Sequence, residues 1–207
     1  MADDVWTAIA AERAALADAL EGLSEDQWDT PSLCEGWTVR DVLAHLTGSA
    51  KVTGLTFFPK LIGSGFSLTR MQNKDIDRER GASPKETLQN FRSVITSTKS
   101  PPGPKATWLG EALIHGEDIR RPLAIERTGS TDAAVVVADF YKGSNLVVGA
   151  KKRIAGLTLK ATDADWSTGE GPTASGPITS LVLAMTGRTS AVDDLEGDGV
   201  ATLRSRG

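Results

Sequence analysis

Four separated stretches of this chain carry apolar residues at helical spacing, and together they leave little room for any architecture but a helical bundle. Residues 2 to 22 place Val5, Ile9, Ala10, Leu16 and Leu20 near a helical period, with charges between them. Thr38 stands ready to N-cap a second helix whose inward stripe is Val39, Val42, Leu43 and Leu46, and His45 lies within it. Ser83, followed by Pro84 and by Glu86 three residues after the cap, predicts a capping box and a third helix running to about Thr98, where "SPPGP" stops it. The fourth starts near Lys105, ends before Pro122, and carries Trp108, Leu109, Ala112, Leu113, His115 and Ile119. Helices joined by connections of such uneven length predict a bundle. Residues 58 to 82, rich in Gly, Ser and charge, read as a long crossover or mobile flap and not as further regular structure.

The pattern changes beyond residue 125. "TDAAVVVADFYKGSNLVVGA" still reads as helical, whereas "RIAGLTLKATDADWSTGEG" has the alternation and turn residues of paired strands. "GPITSLVLAMTGR" predicts a short apolar helix closed by Gly187, and "VATLRSRG" an edge strand. The expected class is α+β: a helical domain over residues 1–150 and a small α/β domain over 151–207.

Bulk properties exclude several functions. A length of 207 residues buries a core without disulfides, and the single cysteine has no intramolecular partner. The net charge of -4 argues against a nucleic-acid partner held by phosphate contacts. The N-terminus lacks the basic, apolar and small-residue regions of a secretory signal, and no apolar run approaches the roughly 20 residues that span a bilayer. The expectation is a cytoplasmic protein with a small-molecule substrate and no membrane partner, as a monomer or homodimer.

Chemistry must come from few residues, because the chain holds only two histidines. In "WLGEALIHGEDIRRPL", residues 108 to 123, Glu111 and His115 are one helical turn apart on one face. With His45 from the second helix they make two imidazoles and a carboxylate, the protein ligands of catalytic zinc sites that keep a fourth position open. Such a Glu/His pair also serves as plain surface hydrogen bonding, and His45 among Val42, Leu43 and Leu46 also reads as a hydrogen-bonded core residue. Asp118 either orients a ligating histidine, as a catalytic group, or merely precedes the helix end. Arg120 and Arg121 either hold a carboxylate, as cofactor-binding residues, or complement the helix dipole before Pro122. Arg188, at the end of the C-terminal helix, is a candidate catalytic residue for an anionic substrate or thiol cofactor, or a solvated surface charge. Cys34 reads as packing before the second helix; a catalytic role would require a depressed pKa and partial exposure. Trp37 and Trp108 read as core or pocket-wall residues.

"PSLCEGWTVRDVLAHL", residues 31 to 46, and "EALIHGEDIRRPL", residues 111 to 123, resemble the mycothiol-dependent maleylpyruvate isomerase family, a branch of the DinB-like metal-binding four-helix bundles of actinobacteria. "GPITSLVLAMTGR" and "LEGDGVATLRSRG" are similar to that family's C-terminal domain. The resemblance implies a zinc-type centre with His45, Glu111 and His115 as ligands and a low-molecular-weight thiol, mycothiol, in the open position. A coordinating thiol is deprotonated outright, where a free one with a pKa of about 8.5 is not. It would then attack an electrophilic small molecule; with a cis-enone, addition, rotation and elimination give the trans isomer. The chain departs from the family pattern at Glu117, where glutamine is common, and in the crossover between helices two and three, so the substrate stays open. Two other classes fit the same residues: a metal-dependent hydrolase with Asp41 as base, and a non-catalytic metal- or ligand-binding protein of stress response or regulation.

Overall fold

The computed structural model describes residues 2–146 and 148–207. They form two compact units, divided between Gly129 and Ser130. The first holds α1 (Ala2–Ala19), α2 (Glu25–Trp28), α3 (Val39–Ser49), α4 (Gly54–Gly63), α5 (Leu68–Arg80), α6 (Pro84–Arg92) and α7 (Lys105–Arg120). No described helix is long and apolar enough to cross a membrane.

Four of these helices close a ring: α1 packs on α7, α7 on α3, α3 on α6, and α6 on α1. Leu16, Leu20, Val42, Leu43, Leu46, Phe91 and Ile119 fill its interior. This is the bundle that the four periodic stretches predict. The start of α3 is fixed by Thr38, whose hydroxyl accepts from Asp41 N while Asp41 Oδ2 accepts from Thr38 N at 3.0 Å. Such a cap is worth about 1 kcal/mol. At α6, Ser83 Oγ accepts from Glu86 N at 3.3 Å, but Glu86 Oε2 reaches back one residue further, to Ala82 N at 2.7 Å. The helix proper stops at Arg92, short of the expected Thr98.

Residues 58 to 82 are not the flap that their composition predicts. They complete α4 and form α5, which start at the side-chain caps Thr53 and Ser67. Pro59 lies inside α4, and α5 is strongly polar, which hides both helices from a reading of periodicity. Helix α5 packs on α3 with Met71 and Ile76 buried, and ion pairs add to this: Lys60 Nζ donates to both Asp75 oxygens at 2.9 Å, and Lys51 Nζ reaches Glu79 at 2.5 Å. Gly48 lets α5 approach α3 closely; a Cβ there would lie 3.1 Å from Asp75 Cβ.

The second unit contains α8 (Thr131–Lys142), α9 (Ala150–Arg153), β1 (Thr158–Ala161), β2 (Ser167–Thr168), β3 (Thr173–Gly176), α10 (Ile178–Met185), a 3₁₀ turn (Thr189–Asp194) and α11 (Val200–Arg204). The sheet order is β2-β1-β3, with β1 antiparallel to β2 and parallel to β3 in the register Thr158↔Thr173. Helix α8, which the sequence pattern groups with the bundle by a boundary at 150, packs on α10 through buried Ala134, Val137, Ala138 and Tyr141. The expected terminal strand is instead helix α11. Its start is pinned where Gly199 N donates to Thr173 O at 2.8 Å, and Leu203 is buried as its anchor. Gly187, at φ 93°, closes α10 as expected.

Candidate metal centre

Helices α3 and α7 are neighbours in the ring, and their facing sides bring the two histidines together. His45 Nε2 lies 3.4 Å from Glu111 Oε1, and the imidazoles of His45 and His115 meet edge-on with centroids 5.1 Å apart. His45 is buried, with the Trp37 ring tilted against it at 5.0 Å. Burial pushes the Glu111 carboxyl up, but the hydrogen bond and charge of His45, the charge of His115 and the Ser49 hydroxyl outweigh it and hold the group below its ordinary value. Burial lowers the pKa of His115 and His45 adds to the effect, against the opposing pull of Asp118. A shallow cleft lined by Arg13, Ser49, Lys99 and Trp108 leads to Glu111.

Behind His115 stands a second group. His115 Nδ1 lies 2.9 Å from Asp118 Oδ2, and Asp118 is 0% exposed. Cys34 Sγ is 3.1 Å from the same oxygen and 3.5 Å from Nδ1. Cys34, His115 and Asp118 keep their ligand atoms within 4.8 Å of one another, the tightest such trio among the described residues. Cys34 does pack against the core, as its setting predicts, but it also touches two polar groups that sequence reading did not connect to it. The partners are 81 and 84 positions away, and no periodicity reports contacts at that range.

Two imidazoles and a carboxylate are donor types suited to a divalent cation, with His45 and Glu111 in contact, while the trio whose ligand atoms lie within 4.8 Å of one another is Cys34, His115 and Asp118. A carboxylate and two imidazoles face one another, and the Nδ1 of His115 is taken by a carboxylate, which leaves its Nε2 for coordination. The other singled-out residues lie elsewhere. Arg120 Nη1 and Arg121 Nε turn to the two oxygens of Glu117, at 3.6 and 3.5 Å, within α7 and its cap. Arg120 is 1% exposed, and burial lowers its pKa and raises that of Glu117. Asp41 is engaged by the Thr38 cap and by Arg80 Nη1 at 2.9 Å. Arg188 belongs to the second unit, where its Nη1 donates to Thr186 O at 3.3 Å.

Comparison with known proteins finds similarities in domain and in fold. Residues 9–101 match the mycothiol maleylpyruvate isomerase N-terminal domain. No curated protein sequence matches the chain. Among solved structures, mycothiol-dependent maleylpyruvate isomerase superposes with a TM-score of 0.58 at 13% identity, over 95% of this chain and 92% of that one. A histidine-to-alanine mutant of such an isomerase gives 0.57 at 14% identity with the same coverage. At that identity the likeness establishes the fold, an α+β arrangement of helical bundle and small α/β unit. Residues 9–101 are thus similar to the mycothiol maleylpyruvate isomerase N-terminal domain, and the chain shares its fold with mycothiol-dependent maleylpyruvate isomerase.

Proposed function

We propose that the protein is a metal-dependent enzyme of the mycothiol-dependent maleylpyruvate isomerase type, acting on an electrophilic small molecule as an isomerase or a thiol S-transferase. The observation that carries this reading is the approach of His45 Nε2 to Glu111 Oε1 at 3.4 Å with the His115 ring alongside. Bound by His45, Glu111 and His115, a divalent cation such as zinc would supply the Lewis acidity that holds a small thiol, mycothiol or a relative, as the attacking thiolate at neutral pH. The protein's own part is to keep Glu111 ionised between two imidazoles and to hold the Nδ1 proton of His115 on Asp118. Trp37 walls the buried side of His45, and Trp108 lines the cleft to Glu111. Arg120 and Arg121, engaged with Glu117, stabilise α7 in this reading. A hydrolase would need a base beside the centre, and Asp41, bound to Thr38 and Arg80, is committed elsewhere.

Metal analysis of purified wild type beside His45→Ala and His115→Ala tests the assignment. The expected result is about one equivalent for wild type and a large loss in each variant, since two remaining donors are too few. Equal metal in all three would defeat it. With cobalt in the site, millimolar thiol should produce a thiolate charge-transfer band; its absence would favour the hydrolase or a non-catalytic binder.

A further inference from the structure

The mechanism above leaves the protein's one thiol unused, although it is placed with care. Cys34 Sγ and His115 Nδ1 both contact one oxygen, Asp118 Oδ2, at 3.1 and 2.9 Å. An ionised carboxylate only accepts, so each neighbour at that oxygen must bring a proton. The donors are therefore Cys34 S–H and His115 Nδ1–H, and the 3.5 Å approach of Sγ to Nδ1 is a contact between two groups that share an acceptor. Were the thiol proton turned to Nδ1 instead, that nitrogen would be bare and its lone pair would face a carboxylate at 2.9 Å. The loop bearing the thiol is clipped to α7 by the main chain, with Leu33 N donating to Asp118 O at 3.1 Å. Ser32 Oγ shapes the turn, accepting from Cys34 N at 3.1 Å and donating to Trp37 O at 2.7 Å.

We infer that Cys34 is a positioning residue for His115: its S–H, bonded to Asp118 Oδ2, steadies the carboxylate that keeps His115 protonated on Nδ1 with Nε2 presented to the facing histidine and Glu111. The inference deepens the proposed function and rests on that reading only where metal affinity is concerned. It also makes the sulfur a donor, neither nucleophile nor metal ligand. Buried networks of this kind are fixed only when every member is satisfied, and Cys34 supplies the second donor to Oδ2.

The test uses Cys34→Ser, which keeps a short donor, and Cys34→Ala, which removes it. In the metal-free protein, long-range proton–nitrogen correlation spectra should show His115 with its proton on Nδ1 in wild type and Cys34→Ser, and a mixture of tautomers in Cys34→Ala. Zinc affinity should fall about tenfold in Cys34→Ala and return in Cys34→Ser, the size expected for loss of an outer partner. Wild-type tautomer and affinity in Cys34→Ala would overturn the inference. So would a sulfur-to-cobalt charge-transfer band in the loaded wild type without added thiol, since the sulfur would then be a ligand. If the alanine variant does not fold, the infrared S–H stretch of wild type decides: a single band lowered by hydrogen bonding supports the inference, and no S–H band sinks it. Failure of wild type to bind metal would defeat the proposed function but leave the tautomer result to judge Cys34.

Discussion

Helix α7 buries eleven of its sixteen residues, among them Glu117, Asp118 and Arg120, whereas α4, with Leu55, Phe57, Phe58, Leu61 and Ile62, buries none. Leu55 is 90% exposed, and Phe58, Ile62, Phe66 and Leu68 also face outward. The two helices belong to the same unit, so composition alone does not decide what is covered. Position in the ring does. Helix α7 is flanked by α1 and α3; inside it, Asp118 is hydrogen-bonded with His115 and Cys34, whereas Glu117 meets Arg120 and Arg121 as looser ion pairs at 3.6 and 3.5 Å. Helix α4 lies outside the ring against α5, with Leu55, Phe58 and Ile62 in solvent and Phe57 and Leu61 half-buried. A polar group retained in the interior at a cost marks the candidate centre; an apolar group left outside marks no chemistry by itself.

Substitutions can break this contrast, beginning with the largest effect. Arg120→Ala should destabilise the protein by about 3–5 kcal/mol in urea titration, since it empties the space of a fully buried side chain and removes one of the two cations beside buried Glu117. Leu113→Ala, at a fully buried site on the same helix, should cost about 2–5 kcal/mol. Thr38→Ala, which removes the cap at the start of the His45 helix, should cost about 1 kcal/mol. Leu55→Ala on α4 should stay within about 0.5 kcal/mol of wild type, and a loss comparable to that of Leu113→Ala would show that α4 is covered in solution.

Glu117 sharpens the contrast through pH. Burial raises its pKa above the ordinary 4.5, so between that value and the raised one the folded chain holds more protons than the unfolded chain. Its contribution to stability is therefore present at low pH and lost as pH rises through that window. Glu117→Gln should flatten this part of the stability profile, while leaving the exposed α4 helix without influence on it.

Much of this was legible in the sequence, and the failures have physical causes. The four ring helices announce themselves because each has one face to bury, and Thr38, Ser83 and Pro122 punctuate them. Glu111 and His115 share a turn, so their juxtaposition follows from helix geometry alone, and Asp118 lies one turn further on, within reach of His115. Helix α5 is hidden in the sequence because its buried apolar residues are few, Met71 and Ile76, and its other inward groups are Asp75 and Glu79, paired with lysines remote along the chain. Residues 200–204 carry no strict alternation, Val200 and Ala201 both being apolar, and with Gly199 N bonded to Thr173 O the segment coils. The sequence around Cys34 reports only its packing, because its polar partners come from α7, remote along the chain.

The neighbouring helices that carry His45 and Glu111 are far apart along the chain, with α4, α5 and α6 folded between them. An unfolded chain thus offers an ion only scattered donors, and the proposed centre would be assembled only after the whole intervening stretch has found its place. Supplying zinc at a thousandfold excess over its dissociation constant should then strengthen the folded state by about 4 kcal/mol, so that a melting curve doubles as a binding isotherm.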